Sequence, residues 1–202
     1  MNPAQIRDYL KAFEPKRDRT IVVVDFANVE KWRHSLQWNI GIQELANLAK
    51  NFSHGKRYLR RFYYGSDYGK NESSLALEPW SKGILARAEA NGLQVITKRV
   101  KYIHSADNVY GVEKKCDLDV EMAVDLIKER DNYDTGVILS GDGDLAYAMN
   151  YLHEEFGKQF ISFGARDHVG REIFDAQKAG TISKILFAED FEYRLNMHRN
   201  RR

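Results

Sequence analysis

Short apolar runs alternate with longer amphipathic stretches along this chain. Thr20-Ile21-Val22-Val23-Val24-Asp25 is apolar on both faces, as expected of a strand covered by helices on each side. Further strands are expected at about 56–65, 93–97, 136–140, 159–163 and 184–187. Helical spacing is found at 2–13, where Ile6, Tyr9, Leu10 and Phe13 recur three to four residues apart. It returns near 41–53, from about 74 to a stop at Asn91-Gly92, from Asp117 to about Arg130, at about 144–156, at 168–179 and from around Glu189. The polar break Glu14 to Asp18, a loop holding Trp32 and Trp38, the polar segment Ser66 to Ser74 and a basic, aromatic stretch reaching about 111 read as connections. Strand alternating with helix predicts an α/β fold, a mostly parallel sheet with helices on both sides. No repeat, low-complexity tract or linker interrupts it. One domain is expected, with a core at about 20–190, an N-terminal helix at 2–13 and a basic tail at 191–202.

A length of 202 residues suits one α/β domain, and 43% hydrophobic content supports a core. No apolar stretch approaches the roughly 20 residues that span a bilayer. Arg7, Asp8 and Lys11 interrupt the first helix, so neither a membrane segment nor a secretory signal is expected. Cys116 is the single cysteine; an internal disulfide is excluded, which fits a cytoplasmic protein. The net charge of +2 conceals a segregation. Residues 1–115 carry 20 Lys/Arg against 12 Asp/Glu, residues 116–193 carry 7 against 17, and residues 194–202 carry 4 against none. An acidic half beside a basic half suits a polyanionic substrate that must reach a metal, although solvated charged faces are the plainer explanation.

Aspartates mark the places where strands end or helices begin. Ser140-Gly141-Asp142-Gly143-Asp144 follows the apolar run Gly136-Val137-Ile138-Leu139 and opens a helical pattern at Leu145. The first strand ends at Asp25-Phe26-Ala27-Asn28, and Cys116-Asp117-Leu118-Asp119 starts another helix. Each has an ordinary explanation, since aspartate caps helices and Asp-Gly marks turns. Asp119 is more diagnostic. Its helical neighbours Met122, Ala123 and Leu126 form an apolar stripe, so its carboxylate points toward the sheet. Asp125 lies about 240° further round and should point elsewhere. In a parallel sheet the carboxyl ends of neighbouring strands face one crevice. Carboxylates gathered there at about 4 Å would repel by roughly 4 kcal/mol at an effective dielectric of about 20. A divalent cation is the simplest way to make that arrangement tolerable.

Val23-Val24-Asp25-Phe26-Ala27-Asn28, Lys115-Cys116-Asp117-Leu118-Asp119-Val120-Glu121-Met122-Ala123-Val124-Asp125 and Ile138-Leu139-Ser140-Gly141-Asp142-Gly143-Asp144-Leu145 resemble the NYN domain. More narrowly they are similar to its LabA-like branch, within the PIN-like nucleases. The resemblance extends from about residue 20 to about 165. It implies a three-layer, Rossmann-like sandwich, a Mg²⁺ or Mn²⁺ site and endoribonuclease chemistry. It assigns the metal to Asp25, Asp119, Asp142 and Asp144, with Asn28 and Ser140 as polar supports and Asp125 as a further candidate. The chain departs from the family pattern at Leu145, where phenylalanine is usual, after Gly164, in the loop at 66–80 and beyond 190.

The function expected is hydrolysis of RNA phosphodiester bonds. Asn28 would position a water or a phosphate oxygen, and the Ser140 hydroxyl would orient a carboxylate. The six histidines show no ligand spacing, and with one cysteine a zinc site is not expected. Lys98, Arg99, Lys101, Tyr102 and Lys115 are candidate RNA contacts, because aromatic faces mixed with cations suit single strands. Lys114 lies nearby, and the tail arginines 194, 199, 201 and 202 would add phosphate affinity. Assembly into a homo-oligomer is left open. The competing functions are a non-catalytic RNA-binding or regulatory protein, a DNA-directed nuclease and a haloacid-dehalogenase-like phosphatase. The last needs a second Asp two residues after the first, where this chain has Ala27.

Overall fold

A computed structural model describes residues 1–13, 19–53, 57–71, 73–104 and 112–198. The break at 14–18, residues 105–111 of the basic stretch and the tail from 199 lie outside the described residues. Six strands form one parallel sheet: β1 Arg19–Asp25, β2 Arg57–Ser66, β3 Gln94–Arg99, β6 Thr135–Leu139, β7 Gln159–Gly164 and β8 Ile182–Phe187. Two short strands, β4 Lys101–His104 and β5 Val112–Lys115, pair antiparallel as a separate ribbon, with Tyr102 opposite Lys114.

The helices are α1 Pro3–Phe13, α2 Phe26–Lys31, α3 Arg33–Leu36, α4 Ile42–Asn51, α5 Pro79–Ala90, α6 Asp119–Lys128, α7 Ala146–Phe156, α8 Arg171–Lys178 and α9 Glu192–Leu195. They cover both faces because the strands are apolar on both. Val22, Val24, Phe62, Leu139 and Phe163 pack with Ile6, Leu45, Ala49, Ile84 and Leu195 on one side. Ile21, Val23, Ile138 and Phe160 pack with Met122, Leu126, Met149, Leu152 and Ile173 on the other. The period of two along each strand thus feeds two cores. Among the described residues no helix is long and apolar enough to cross a membrane.

Three expectations need correction. The loop expected to hold Trp32 and Trp38 is largely helical, as α2 and α3. The long helix begins at Pro79 rather than near 74. Proline suits the first helical position and holds the residue before it extended; Glu78 has φ −56° and ψ 139°. The basic stretch after β3 is not simply a loop, since its described ends are β4 and β5.

Strand order β3-β2-β1-β6-β7-β8 fixes where a ligand can enter. The chain builds outward from β1 through β2 and β3, then returns to β6 and builds outward the other way. The crossovers therefore diverge between β1 and β6, and a crevice opens at their carboxyl ends. Asp25 is the last residue of β1, and Ser140 directly follows β6.

Candidate functional site

Asp25 is 7% exposed and caps α2. Its Oδ1 accepts the Asn28 backbone N–H at 3.2 Å, and its Oδ2 accepts the Ser140 hydroxyl at 3.0 Å. Burial pushes the Asp25 carboxyl above its ordinary value; these two hydrogen bonds oppose that, and the charge of Asp142 adds to it. Ser140 Oγ in turn accepts the Asp142 N–H at 3.1 Å, and Asp142 Oδ1 accepts the Asp144 N–H at 3.1 Å. A chain of short-range bonds thus runs from the end of β1 through the turn after β6.

Asn28 ties the two segments together. Its Oδ1 accepts the Gly141 N–H at 3.1 Å and the indole N–H of the fully buried Trp32 at 2.7 Å. Two donors on one oxygen fix the amide orientation, so the Asn28 NH₂ faces away from both. Gly141 has no room for a side chain: a Cβ there would lie 1.7 Å from the carbonyl oxygen of His168. Gly141 also accepts the Gly170 N–H at 2.8 Å, which docks the turn against the start of α8.

Asp119 enters from α6, where Met122 and Leu126 bury the apolar stripe. Asp117 accepts the Asp119 N–H at 3.0 Å, one residue before the helix cap at Leu118. One carboxylate oxygen from each of Asp119, Asp142 and Asp144 lies within 4.8 Å of the others. Burial, then the hydrogen bond and charge of Asp117 and the charges of Asp142 and Asp25, push the Asp119 carboxyl up to about 7. Among the described residues no Lys or Arg forms an ion pair with Asp25, Asp119, Asp142 or Asp144. This all-oxygen donor set of clustered carboxylates fits a hard divalent cation such as Mg²⁺ or Mn²⁺.

The carboxylates line a cleft of about 630 Å³ at the sheet's switch point. Not every candidate residue is there. Asp25 borders the cleft but stands outside the close group of three, its oxygens engaged by Asn28 and Ser140. Asp125 lies apart: its Oδ2 accepts the Tyr63 hydroxyl at 2.8 Å and an Arg61 N–H at 3.2 Å, and Arg61 also pairs with Glu129. Of the expected RNA contacts, Lys115 lines the cleft and the other four do not. Lys98 donates to the Asp117 carbonyl and to Glu121, both at 2.8 Å, and so pins the start of α6. Arg99 donates to the carbonyls of Ser74 and Asn71 and lies over the Tyr68 ring. Tyr102 donates to Asp67. Lys101 is exposed on β4, opposite Lys115.

Sequence reasoning missed other lining groups, chiefly Glu30, Lys31 and Arg33 from α2 and α3, Tyr64 from β2 and Trp80 from α5. Lys31 sits three residues after Asn28, one helical turn away, and that spacing was a usable signal.

A family model described as NYN domain matches residues 19–183. The chain belongs to the NYN domain family. It is 34% identical over 61 residues to the low amplitude and bright protein LabA of Synechococcus elongatus, a match that covers 30% of this chain. That match spans only 33% of LabA's own length. Among solved structures, a Vibrio parahaemolyticus protein of unknown function, VPA0982, has the same fold, with a TM-score of 0.63. The two are 18% identical, and the superposition covers 86% of this chain and 94% of that one.

Proposed function

We propose that this NYN protein is a divalent-metal-dependent endoribonuclease acting in the cleft between β1 and β6. The observation that carries the reading is the convergence of Asp119, Asp142 and Asp144 without a neutralising Lys or Arg among the described residues. Clustered carboxylates left uncompensated by the protein call for a cation from outside. Membership of a family among the PIN-like nucleases supports the same reading.

Asp119, Asp142 and Asp144 would hold Mg²⁺ or Mn²⁺, which when bound lowers the pKa of a water and stabilises charge on phosphate oxygens. Asp25 acts behind them: by accepting from Ser140 it orients the hydroxyl that receives the Asp142 N–H. Asn28 holds the Gly141 turn with its oxygen and offers its NH₂ to a phosphate oxygen or an attacking water. Lys115 and Lys31, at the cleft wall, attract the polyanion and orient its phosphates. RNA is the expected partner.

The test is cleavage of labelled single-stranded RNA in Mn²⁺ by the intact protein and by Asp142→Asn. Cleavage confined to the intact protein is expected. If the two behave alike, the chain is a binding or regulatory protein and the nuclease reading fails. Single-stranded DNA as competitor separates a ribonuclease from a DNA-directed enzyme.

A further inference from the structure

The cleft that holds the carboxylates also has an aromatic wall. Trp80, the second residue of α5, is 47% exposed there. The other two tryptophans behave as core residues: Trp32 is fully buried, and Trp38 is partly buried against the core. Trp80 is also held in place. The Lys114 ammonium lies 4.7 Å from its ring centroid and is itself fixed by Asp67 at 2.7 Å. Asp67 is fully buried and accepts the Tyr102 hydroxyl as well, so the cation on the indole rests on a rigid base. The cation holds one face of the indole, and the ring stays half-open to solvent.

Lys31, Arg33 and Lys115 line the same cleft. None of these three forms an ion pair among the described residues. A half-open aromatic face and cations outside ion-pair distance of any described carboxylate, in one cleft with an acidic cluster, match the chemistry of an unpaired nucleotide. Its base offers a π face and its flanking phosphates offer charge. A duplex cannot present that face, because its bases are stacked on one another.

We infer that Trp80 is a stacking platform for an unpaired base next to the acidic cluster, with Lys31, Arg33 and Lys115 toward its flanking phosphates. Trp80 thereby selects single-stranded over paired substrate. This rests on the ribonuclease reading of the same cleft and names its substrate class.

Binding of a fluorescein-labelled 12-nucleotide oligouridylate to the full chain, followed by anisotropy in EDTA, isolates recognition from cleavage. Trp80→Ala is expected to weaken binding about tenfold, within the range that losing one base–aromatic stack costs. Trp80→Phe should restore it to within about threefold, since a phenyl ring still stacks. Binding of an RNA duplex of equal length should not respond to Trp80→Ala. Lys31→Ala and Arg33→Ala should each reduce the slope of log affinity against log salt by about 0.7. Equal single-strand binding by wild type and Trp80→Ala overturns the inference, as does an equal loss for single strand and duplex. If Asp142-dependent cleavage persists in that case, the nuclease reading survives without the platform. Trp80-dependent binding with no cleavage in Mn²⁺ sinks the nuclease reading and keeps the platform. Circular dichroism of Trp80→Ala, alongside the Phe rescue, separates a lost stack from a lost fold.

Discussion

Asp25 and Asp67 are both buried aspartates at the carboxyl ends of adjacent strands, yet the protein treats them in opposite ways. Asp67, just after β2, accepts from the Lys114 ammonium, the Tyr102 hydroxyl and the Gly69 N–H. Burial alone would raise its carboxyl, but those donors outweigh burial and hold it below its ordinary value. Asp25, at the end of β1, accepts a hydroxyl and one backbone N–H among the described residues and feels the Lys31 charge without an ion pair to it, and burial leaves its carboxyl raised. Asp119 beside it is raised further, to about 7. A fold can neutralise a buried carboxylate with its own lysine, and here it does so at one strand end and not at the next. The uncompensated charge stands where the sheet's topology opens a cleft, and the compensated charge braces the ribbon that walls that cleft.

The comparison breaks most sharply at the acidic cluster. Asp119→Asn should lower Mn²⁺-dependent RNA cleavage by about 10³-fold, the upper end for losing one preorganised electrostatic group. A rise in thermal stability is expected of the intact protein in Mn²⁺, and the same change should abolish it. At a hundred times its dissociation constant, that rise corresponds to about 2.7 kcal/mol. A variant that still cleaves and is still stabilised would place the metal elsewhere.

Asp67→Ala probes the compensated partner. It leaves the Tyr102 hydroxyl and the Lys114 ammonium without their acceptor and should cost about 2–3 kcal/mol in urea unfolding, as for hydrogen bonds to a charged group. An unchanged midpoint would mean that Asp67 does not brace the ribbon.

On α6 the contrast sharpens within one helix. Asp125→Asn loosens the Arg61 and Tyr63 contacts and should cost about 1–2 kcal/mol of stability while leaving the cleavage rate unchanged. A loss of cleavage comparable to that of Asp119→Asn would return Asp125 to the reaction.

The smallest effect is a pH dependence. The Asp67 carboxyl is lowered from 3.8, so its stabilisation is present above that value and fades as pH falls through the lower, folded value. Its hydrogen bond to Asp67 raises Lys114 above 10.5, so that stabilisation is complete below 10.5 and fades as pH rises through the higher, folded value. The stability difference between wild type and Asp67→Asn should therefore form a plateau from about pH 4 to about pH 10 and shrink at both ends. A difference that does not vary with pH would remove the ion pair from the account.

Much of this arrangement could be read before folding. Asp142 and Asp144 stood out because they sit between a β-branched strand and a helical pattern. Asp119 stood out because Met122 and Leu126 point its face inward. The alternation of apolar runs and amphipathic stretches was enough for the parallel sheet. The ribbon β4–β5 was not legible, because Lys101–His104 and Val112–Lys115 are four-residue strands without a clear alternating pattern. Trp80 was hidden because the helix was expected from about 74, which placed it mid-helix rather than in the first turn, on a cleft wall.

What local sequence determines here is periodicity and the chemistry of helix starts, since both depend on neighbours within a few residues. Which cations line the cleft and which pair with the protein's own acids was decided only in three dimensions. Lys98 and Lys115 look alike along the chain, but strand register turns one onto Glu121 and the Asp117 carbonyl and leaves the other in the cleft. A charge acquires its role from the partner that packing brings within about 4 Å, and that partner is set by contacts between segments far apart in sequence.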